Sequence, residues 1–284
     1  MVKLKAKKTK GKPPKRGFPW LWVSVAVFIA AFVLAFTMIS QRSQLTTPPI
    51  PKGTRAAIVD QLYANYPNKD FTTKITQEFE DYGFKVDLYQ GDDITVDLYR
   101  NLPTYGYKII VFRAHSGSIA PDPQDPTTII GTYLFTNEPY TEIKYPKEQL
   151  NDEISRARVT ENHPDFFAIG PKFITHSMKG NFNDAVVIIA GCSCLYDNDL
   201  AQAFIQKGAS AYLAWDATVN LDYVEQATIS LIENLCSERL PVNKAVDLTM
   251  ATIGADPKHG ASLKYYPPQS SGKALKELTH PLSS

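Results

Sequence analysis

Two short motifs in the chain hold the side chains best suited to covalent chemistry. His115 stands two residues before Gly117 at the end of one apolar stretch, and Cys192 follows Gly191 at the end of another. A cysteine thiolate attacks carbonyl carbon, and a neighbouring imidazole takes up the thiol proton and passes it to a leaving group. The two side chains need to be close only in space, so the 76 residues between them do not exclude a pair.

The glycines in these motifs have a use in the same chemistry. Gly117 and Gly191 allow a substrate to approach the main chain closely, because glycine has no Cβ. Backbone N–H groups near Gly117 and at the Cys192 turn could hold the oxyanion that forms when a nucleophile adds to a carbonyl. The sequence thus predicts a pair of His115 and Cys192 with backbone support at these two glycines.

The chain has three cysteines, too few for a disulfide scaffold. Cys194 is the rival nucleophile, but packing in the core or a role as a resolving thiol is favoured for it. A redox-active pair with Cys192 is one alternative function. A bridge between Cys192 and Cys194 would be strained because the two residues are so close in sequence. Cys236 falls in a predicted helix and is expected in the core.

Apolar runs alternate with helical patterns along most of residues 54–284. This alternation predicts a mainly parallel sheet with helices on both faces. Asn68 or Asp70 can cap the first helix. The pattern is interrupted at 118–183, where strand-like pieces (TYLFT and YTEIKY) predict a hairpin over the sheet edge. The expected strands are 55–62, 84–89, 108–112, 185–190 and 209–215, and the expected helices are 70–83, 93–102 with Asp93 as its cap, 199–208, 221–237 and 242–254.

The two chemical motifs both fall at the ends of predicted strands. Strand 108–112 leads to His115, and strand 185–190 leads to Cys192. In parallel sheets covered by helices, ligands bind beyond the carboxyl ends of the strands. Both motifs therefore lie at the same edge of the predicted sheet, and this coincidence is the main functional signal in the sequence.

On these motifs the chain resembles the caspase–hemoglobinase superfamily of cysteine peptidases, which includes caspases, metacaspases, legumains, gingipains, clostripain, separase and CHAT-domain proteins. The segments that carry the resemblance are IIVFRAHSG, VVIIAGCSC and DLAQAFIQKGASAYLAW, within residues 56–248. The resemblance implies a caspase-like three-layer α/β/α sandwich. It also implies a thiol peptidase with Cys192 as nucleophile and His115 as general base and acid. A catalytically inactive binding module with the same fold is the alternative.

The sequence departs from the resemblance in the pocket that would bind a substrate side chain. Several of those families have an acidic residue two positions before the cysteine, where this chain has Ala190. Asp216 and Asp222 are the candidates for a pocket that selects Lys or Arg, although both could instead be helix caps. Arg113 could contact substrate or pair with a carboxylate, and pairing is favoured. The insertion 118–183 is longer than in caspases and could form a lid or a processing site.

The N-terminal region has the pattern of a single-pass membrane anchor. Residues 18–40 carry no charge, and a helix of that length spans roughly 34 Å, enough to cross a bilayer core of about 30 Å. Eight Lys and Arg residues precede it, so the positive-inside rule places the tail 1–17 in the cytoplasm and the body outside. A cleaved signal peptide, the alternative, would have a shorter apolar region and a small-residue cleavage site. A Pro-rich linker, 41–53, leads to the domain 54–284.

Charge and composition exclude several classes of partner. Beyond residue 40 the chain has 22 basic and 29 acidic residues, a net charge of −7, which argues against nucleic acid. The other histidines lack the spacing of metal ligands, and no Gly-rich nucleotide loop follows a strand, so neither a metal nor a cofactor is predicted. The expected partners are a peptide or protein substrate and, through residues 18–40, the lipid bilayer.

Overall fold

The computed structural model describes residues 50–119 and 131–280. The predicted cytoplasmic tail, the predicted membrane helix and the linker up to residue 49 lie outside these ranges. Within the described ranges, no helix has the length and apolar character needed to cross a bilayer.

Two sheets form the framework of the described domain. Their strands are β1 Arg55–Asp60, β2 Lys85–Gln90, β3 Tyr107–Arg113, β4 Ser116–Ile119, β5 Gly131–Pro139, β6 Ile154–Ala157, β7 Phe166–Ile169, β8 Ala185–Ala190, β9 Ala209–Trp215 and β10 Leu263–Tyr266. The larger sheet has six strands in the order β2-β1-β3-β8-β9-β10, and all its neighbouring pairs are parallel except β9 with β10. The five predicted strands and their mainly parallel arrangement are confirmed. The sixth strand, β10, was not predicted.

Helices cover both faces of the larger sheet. The α-helices are α1 Lys69–Tyr82, α2 Val96–Asn101, α3 Pro146–Leu150, α4 Asp199–Gln206, α5 Leu221–Cys236, α6 Val242–Ile253 and α7 Leu275–Thr279, joined by 3-10 turns at Gln61–Ala64, Gly91–Asp93, Leu102–Tyr105 and Pro268–Ser270 and a π-helical turn at Phe173–Ser177. Alternate strand residues point to opposite faces. Val111 and Ile188 belong to the core shared with α1, α5, α6 and α7, whereas Phe112 and Ile189 belong to the core shared with α2 and α4. The domain is therefore an α/β structure of three layers.

The first two helices begin at side-chain caps. Asn68 Oδ1 accepts a hydrogen bond from Phe71 N–H at 3.0 Å, which makes Asn68 the cap of α1 and not Asp70. Thr95 Oγ1 caps α2 in the same way, at 3.1 Å. The prediction of Asp93 as this cap is wrong, because Asp93 ends a separate 3-10 turn before the helix begins.

The insertion 118–183 supplies most of the second sheet, whose order is β4-β5-β7-β6 with every pair antiparallel. The prediction is correct for TYLFT, which lies in β5, and wrong for YTEIKY, which forms the turn before α3. Leu134 and Ile169 of this sheet join the core on the α2 and α4 side of the larger sheet. The first strand, β4, starts directly after His115, so the insertion stands beside one of the predicted site residues.

Arg113 lies at the centre of a buried ion cluster. Its side chain is 1% exposed, and its Nη1 atom is 2.6 Å from Asp60 Oδ1. Arg113 also pairs with Glu225 of α5, and its Nη2 donates to the carbonyl oxygen of Tyr66 at 2.6 Å. The other oxygen of Glu225 accepts from Asn68 Nδ2 at 2.6 Å. The cluster joins β1, β3, α5 and the start of α1, and it leaves the Arg113 guanidinium paired rather than open to a substrate.

We expect Arg113→Met to lower the free energy of unfolding by about 3–5 kcal/mol, because it leaves two buried carboxylates without their cation. The control is Lys172→Met, which removes the Lys172 partner of Asp152 in an ion pair whose side chains are more than half exposed. That change should cost less than about 1 kcal/mol. Chemical denaturation of both variants measures the two losses of unfolding free energy. Equal losses would contradict a stabilising role of the Arg113 ion cluster.

Candidate active site

The positions of His115 and Cys192 are set by two adjacent strands at the centre of the larger sheet. β3 pairs in parallel with β8, and Arg113 lies opposite Ala190. His115 comes two positions after Arg113, and Cys192 comes two positions after Ala190. Since neighbouring strands lie about 4.8 Å apart, the two segments leave the sheet side by side.

The two exit segments also contact each other directly. Ser116 Oγ donates a hydrogen bond to the carbonyl oxygen of Cys192 at 2.7 Å. At Gly191 an added Cβ would lie 2.6 Å from the Ala114 carbonyl oxygen and 2.7 Å from Ser116 Oγ, closer than real Cβ contacts. Gly191 is thus needed for the close approach of the two segments. Gly117, in contrast, lies in β4 opposite Tyr133 and has open space where a Cβ would be.

The Cys192 thiol is partly buried on the side of the sheet that faces α5. Its Sγ lies 3.7 Å from the carbonyl oxygen of Val219, just before that helix. Burial is the main cause that raises the pKa of the Cys192 thiol above its ordinary value. Ser193, the next residue, has a φ of +56° and donates its N–H to Ala217 O at 2.9 Å. Among the described residues, none accepts a hydrogen bond from the Cys192 N–H.

The His115 imidazole is half-buried between two aromatic rings, those of Tyr66 at 6.1 Å and Phe135 at 5.9 Å between centroids. Its main-chain N–H donates to Gln61 Oε1 at 2.9 Å, which ties the segment to the end of β1. The ring Nε2 is buried and has no hydrogen-bond partner among the described residues. Burial, followed by the charges of His163 and Arg113, lowers the pKa of His115 to about 4.

The pair is therefore uncharged at neutral pH, with a protonated thiol and a neutral imidazole. No hydrogen bond joins Cys192 Sγ to the His115 ring within the described structure. A neutral imidazole at pH 7 can accept a proton, and a thiol with a raised pKa keeps its own until it reacts.

The other cysteines occupy different surroundings. Cys194 is 1% exposed, and burial raises the pKa of its thiol to about 12, so it has neither the access nor the acidity of a nucleophile. Cys236 lies in the core, as expected. All three thiols are free, so Cys192 and Cys194 are not bridged.

The acidic residues predicted for a substrate pocket lie on the Cys192 side of the site. Asp216 follows β9, and its Oδ1 accepts from Ser262 N–H at 2.7 Å, which fastens the start of β10. Asp222 is exposed in the first turn of α5, where a carboxylate interacts well with the helix dipole. Neither carboxylate makes a side-chain cap. The loop between β9 and α5 is held instead by Asp256, which is 2% exposed and accepts a hydrogen bond from Asn220 N–H at 2.8 Å.

A cavity of about 370 Å³ lies next to His115. Cys192 is not among the residues that line it. Two arginines from the end of β6, Arg156 and Arg158, were not singled out from the sequence, although an Arg-x-Arg pair at a strand end could have suggested an anion site. The lining residues are His115, Ser116, Gly117, Ser118, Phe135, Arg156, Ala157, Arg158 and Val159.

Comparisons with known proteins supply no relative from which a role could be carried over. No protein-family model matches the chain, and no curated protein matches it. In the part of the chain that the structure describes, no group of three or more His, Cys, Asp or Glu residues could hold a metal ion.

We expect Gly191→Ala to separate the two exit segments, since the new methyl group would collide with main chain at Ala114. The cost should be about 1–3 kcal/mol of stability, with loss of whatever activity depends on both segments. Gly272→Ala is the matched control, because its Cβ meets open space and the residue lies away from the site. Thermal unfolding and peptide cleavage compare the two, and a stable, fully active Gly191→Ala protein would contradict the close approach described above.

The lowered pKa of His115 also predicts a pH dependence of stability. An unfolded histidine binds a proton below about pH 6.5 and the folded one only below about 4, so acid favours the unfolded state across that window. We expect the wild type to lose on the order of 1–3 kcal/mol more than His115→Gln between pH 7 and pH 4. Denaturant titrations at both pH values measure this, and parallel losses in the two proteins would refute a buried, neutral His115.

Proposed function

We propose that this chain is a cysteine peptidase of the caspase–hemoglobinase type, with Cys192 as nucleophile and His115 as general base and acid. The observation that carries the proposal is the register of β3 and β8, which brings the only two motifs suited to this chemistry in the described sequence to one edge of the sheet. The strand–helix alternation and the three layers agree with the fold that the sequence resemblance implies.

The proposed reaction uses the neutral pair directly. The Sγ of Cys192 attacks the carbonyl carbon of a peptide bond while the thiol proton passes to the His115 ring. The imidazolium then gives that proton to the leaving amine, and the C–N bond breaks to leave a thioester on Cys192. Water, deprotonated by His115, hydrolyses the thioester and restores the thiol. Each step requires the ring to come within hydrogen-bond distance of the reacting atoms.

The main chain around Cys192 supports the attack. The carbonyl oxygen becomes an oxyanion when sulfur adds to the carbon, and backbone N–H groups stabilise it. Within the described residues no main-chain acceptor is found for the Cys192 N–H, which supports this role. The positive φ of Ser193 and its bond to Ala217 hold the turn that presents this N–H.

The proposal includes the membrane anchor predicted from the sequence. An uncharged segment at 18–40 behind a basic tail would keep the N-terminus in the cytoplasm and hold the domain outside, close to the bilayer. The substrate would then be a peptide or protein at the outer membrane surface.

A second candidate function is a binding module that keeps the fold and holds a partner at the membrane. The raised pKa of the Cys192 thiol and the lack of a bond between Sγ and the imidazole favour it, because many thiol peptidases lower the pKa of the nucleophile. Such a module would bind through the same cleft without cutting.

We expect the full-length protein, reduced and held in detergent, to cleave members of a mixed peptide library. Cys192→Ala and His115→Ala should each lower the rate by at least about a thousandfold, since the two residues act as one unit. Cys194→Ala is the matched control and should retain cleavage, because the Cys194 thiol is buried. Mass spectrometry of the products gives rates and cut sites.

Two results would contradict the peptidase. Cleavage that survives in Cys192→Ala would assign the activity to another group. A folded wild type with a free Cys192 thiol that cuts no peptide would favour the binding module.

A further inference from the structure

We infer that Gln61 is a positioning residue for the proposed reaction. Its side-chain amide, oriented by Asn137, holds the main chain of His115 and so fixes where the imidazole stands. The inference rests on the proposed peptidase function and adds a residue to it. Gln61 falls inside the strand predicted over 55–62, and no motif in the sequence marks it.

The hydrogen bond between His115 and Gln61 replaces one that the sheet no longer provides. β1 ends at Asp60, and the chain then turns away into the 3-10 turn Gln61–Ala64. The N–H of Ala114 donates to β8 on one side of β3, so the N–H of His115 points to the other side, where β1 has already ended. There the Oε1 atom of Gln61 accepts it at 2.9 Å.

Asn137 of β5 decides which atom of the Gln61 amide faces His115. Gln61 Nε2 donates to Asn137 Oδ1 at 2.6 Å, which leaves Gln61 Oε1 for the His115 N–H. Asn137 Nδ2 donates in turn to the carbonyl oxygens of Gln61 and Gly91, each at 2.9 Å. A reversed Gln61 amide would set N–H against N–H and oxygen against oxygen, so only one orientation is satisfied. Gln61 is 2% exposed, and water therefore competes little for these bonds.

Both main-chain polar groups of His115 are held. Its carbonyl oxygen accepts the N–H of Phe135 at 3.0 Å, and its N–H is bound by Gln61. With the backbone fixed, the imidazole moves only by rotation about its two side-chain bonds, and the rings of Tyr66 and Phe135 flank it. Tyr66 follows the turn that Gln61 opens, so a shift of Gln61 would also displace one of the flanking rings. The position of the imidazole therefore depends on a residue that does not touch the reacting atoms.

The test is the rate at which a peptidyl acyloxymethyl ketone labels Cys192 in the reduced full-length protein. Gln61→Met keeps the length of the side chain and removes both hydrogen bonds of its amide. We expect labelling to slow by about ten- to a hundredfold, because a misplacement of about 1 Å has an effect of that order on a reaction that depends on geometry. Asn137→Leu leaves Gln61 in place but removes the group that orients it. It should slow labelling in the same direction, and it tests the inference even if Gln61→Met does not fold.

Two controls separate positioning from a general loss of stability. In a His115→Ala background, Gln61→Met should slow labelling no further, because a residue that acts through the imidazole then has nothing to position. Asn234→Leu removes another buried hydrogen bond, from Asn234 Nδ2 to Thr249 Oγ1 at 3.0 Å between α5 and α6, and should leave labelling unchanged. An equal loss in Gln61→Met and Asn234→Leu, or an equal effect of Gln61→Met with and without His115, would overturn the inference.

An NMR titration of the full-length protein with labelled histidines does not require the peptidase. We expect Gln61→Met to raise the pKa of His115 from about 4 towards its ordinary value, because a ring that is no longer held in place reaches water more readily. Asn234→Leu should leave this pKa unchanged.

The two measurements together distinguish the possible failures. A raised pKa in Gln61→Met, with Cys192 labelling that does not depend on His115, supports the positioning of His115 by Gln61, and only the peptidase is lost. An unchanged pKa and an unchanged labelling rate in Gln61→Met, with slow labelling in His115→Ala, overturn the role of Gln61 and leave the peptidase. An unchanged pKa with labelling that does not depend on His115 overturns both.

Discussion

The backbone pairing of β3 with β8 is the constraint on which the candidate site depends. Because the strands are parallel and in register, residues equally distant from the pair Arg113 and Ala190 emerge together, and these residues are His115 and Cys192. The ion cluster around Arg113 fastens β3 to β1 and α5 below this point. Gly191 then allows the two exit segments to touch above it. The sheet and the ion cluster beneath these two short, closely packed turns therefore fix where His115 and Cys192 leave the sheet.

Burial gives the two side chains their electrostatic character. It raises the pKa of the Cys192 thiol and lowers that of the His115 imidazole, so both favour their uncharged forms at neutral pH. This differs from a thiolate–imidazolium pair, in which each charge stabilises the other. In the proposed reaction a neutral pair would need the substrate to trigger proton transfer, and a protonated thiol is less readily oxidised than a thiolate.

Much of the fold could be predicted because its signals are local. Five apolar runs gave strands within two residues of their observed bounds, and the helix patterns gave α1, α4, α5 and α6. β10 was missed because a short, mixed segment becomes a strand only through pairing with β9. His115 and Cys192 could be found from their residue types and from their positions at strand ends. The sequence also favoured a carboxylate partner for Arg113, without indicating which one. The cavity beside His115 could not be predicted, because its lining depends on how the second sheet folds back towards His115.

In the proposed peptidase, Cys192 reacts because the His115 imidazole takes up its proton. The most direct measurement is the rate at which a peptidyl acyloxymethyl ketone labels the reduced full-length protein at pH 7, with the modified residue identified by mass spectrometry. We expect one adduct, on Cys192, and labelling at least about a hundredfold slower in His115→Ala, since the imidazole takes up the thiol proton. Labelling of Cys192 at the same rate without His115, or modification of Cys194 in its place, would contradict it.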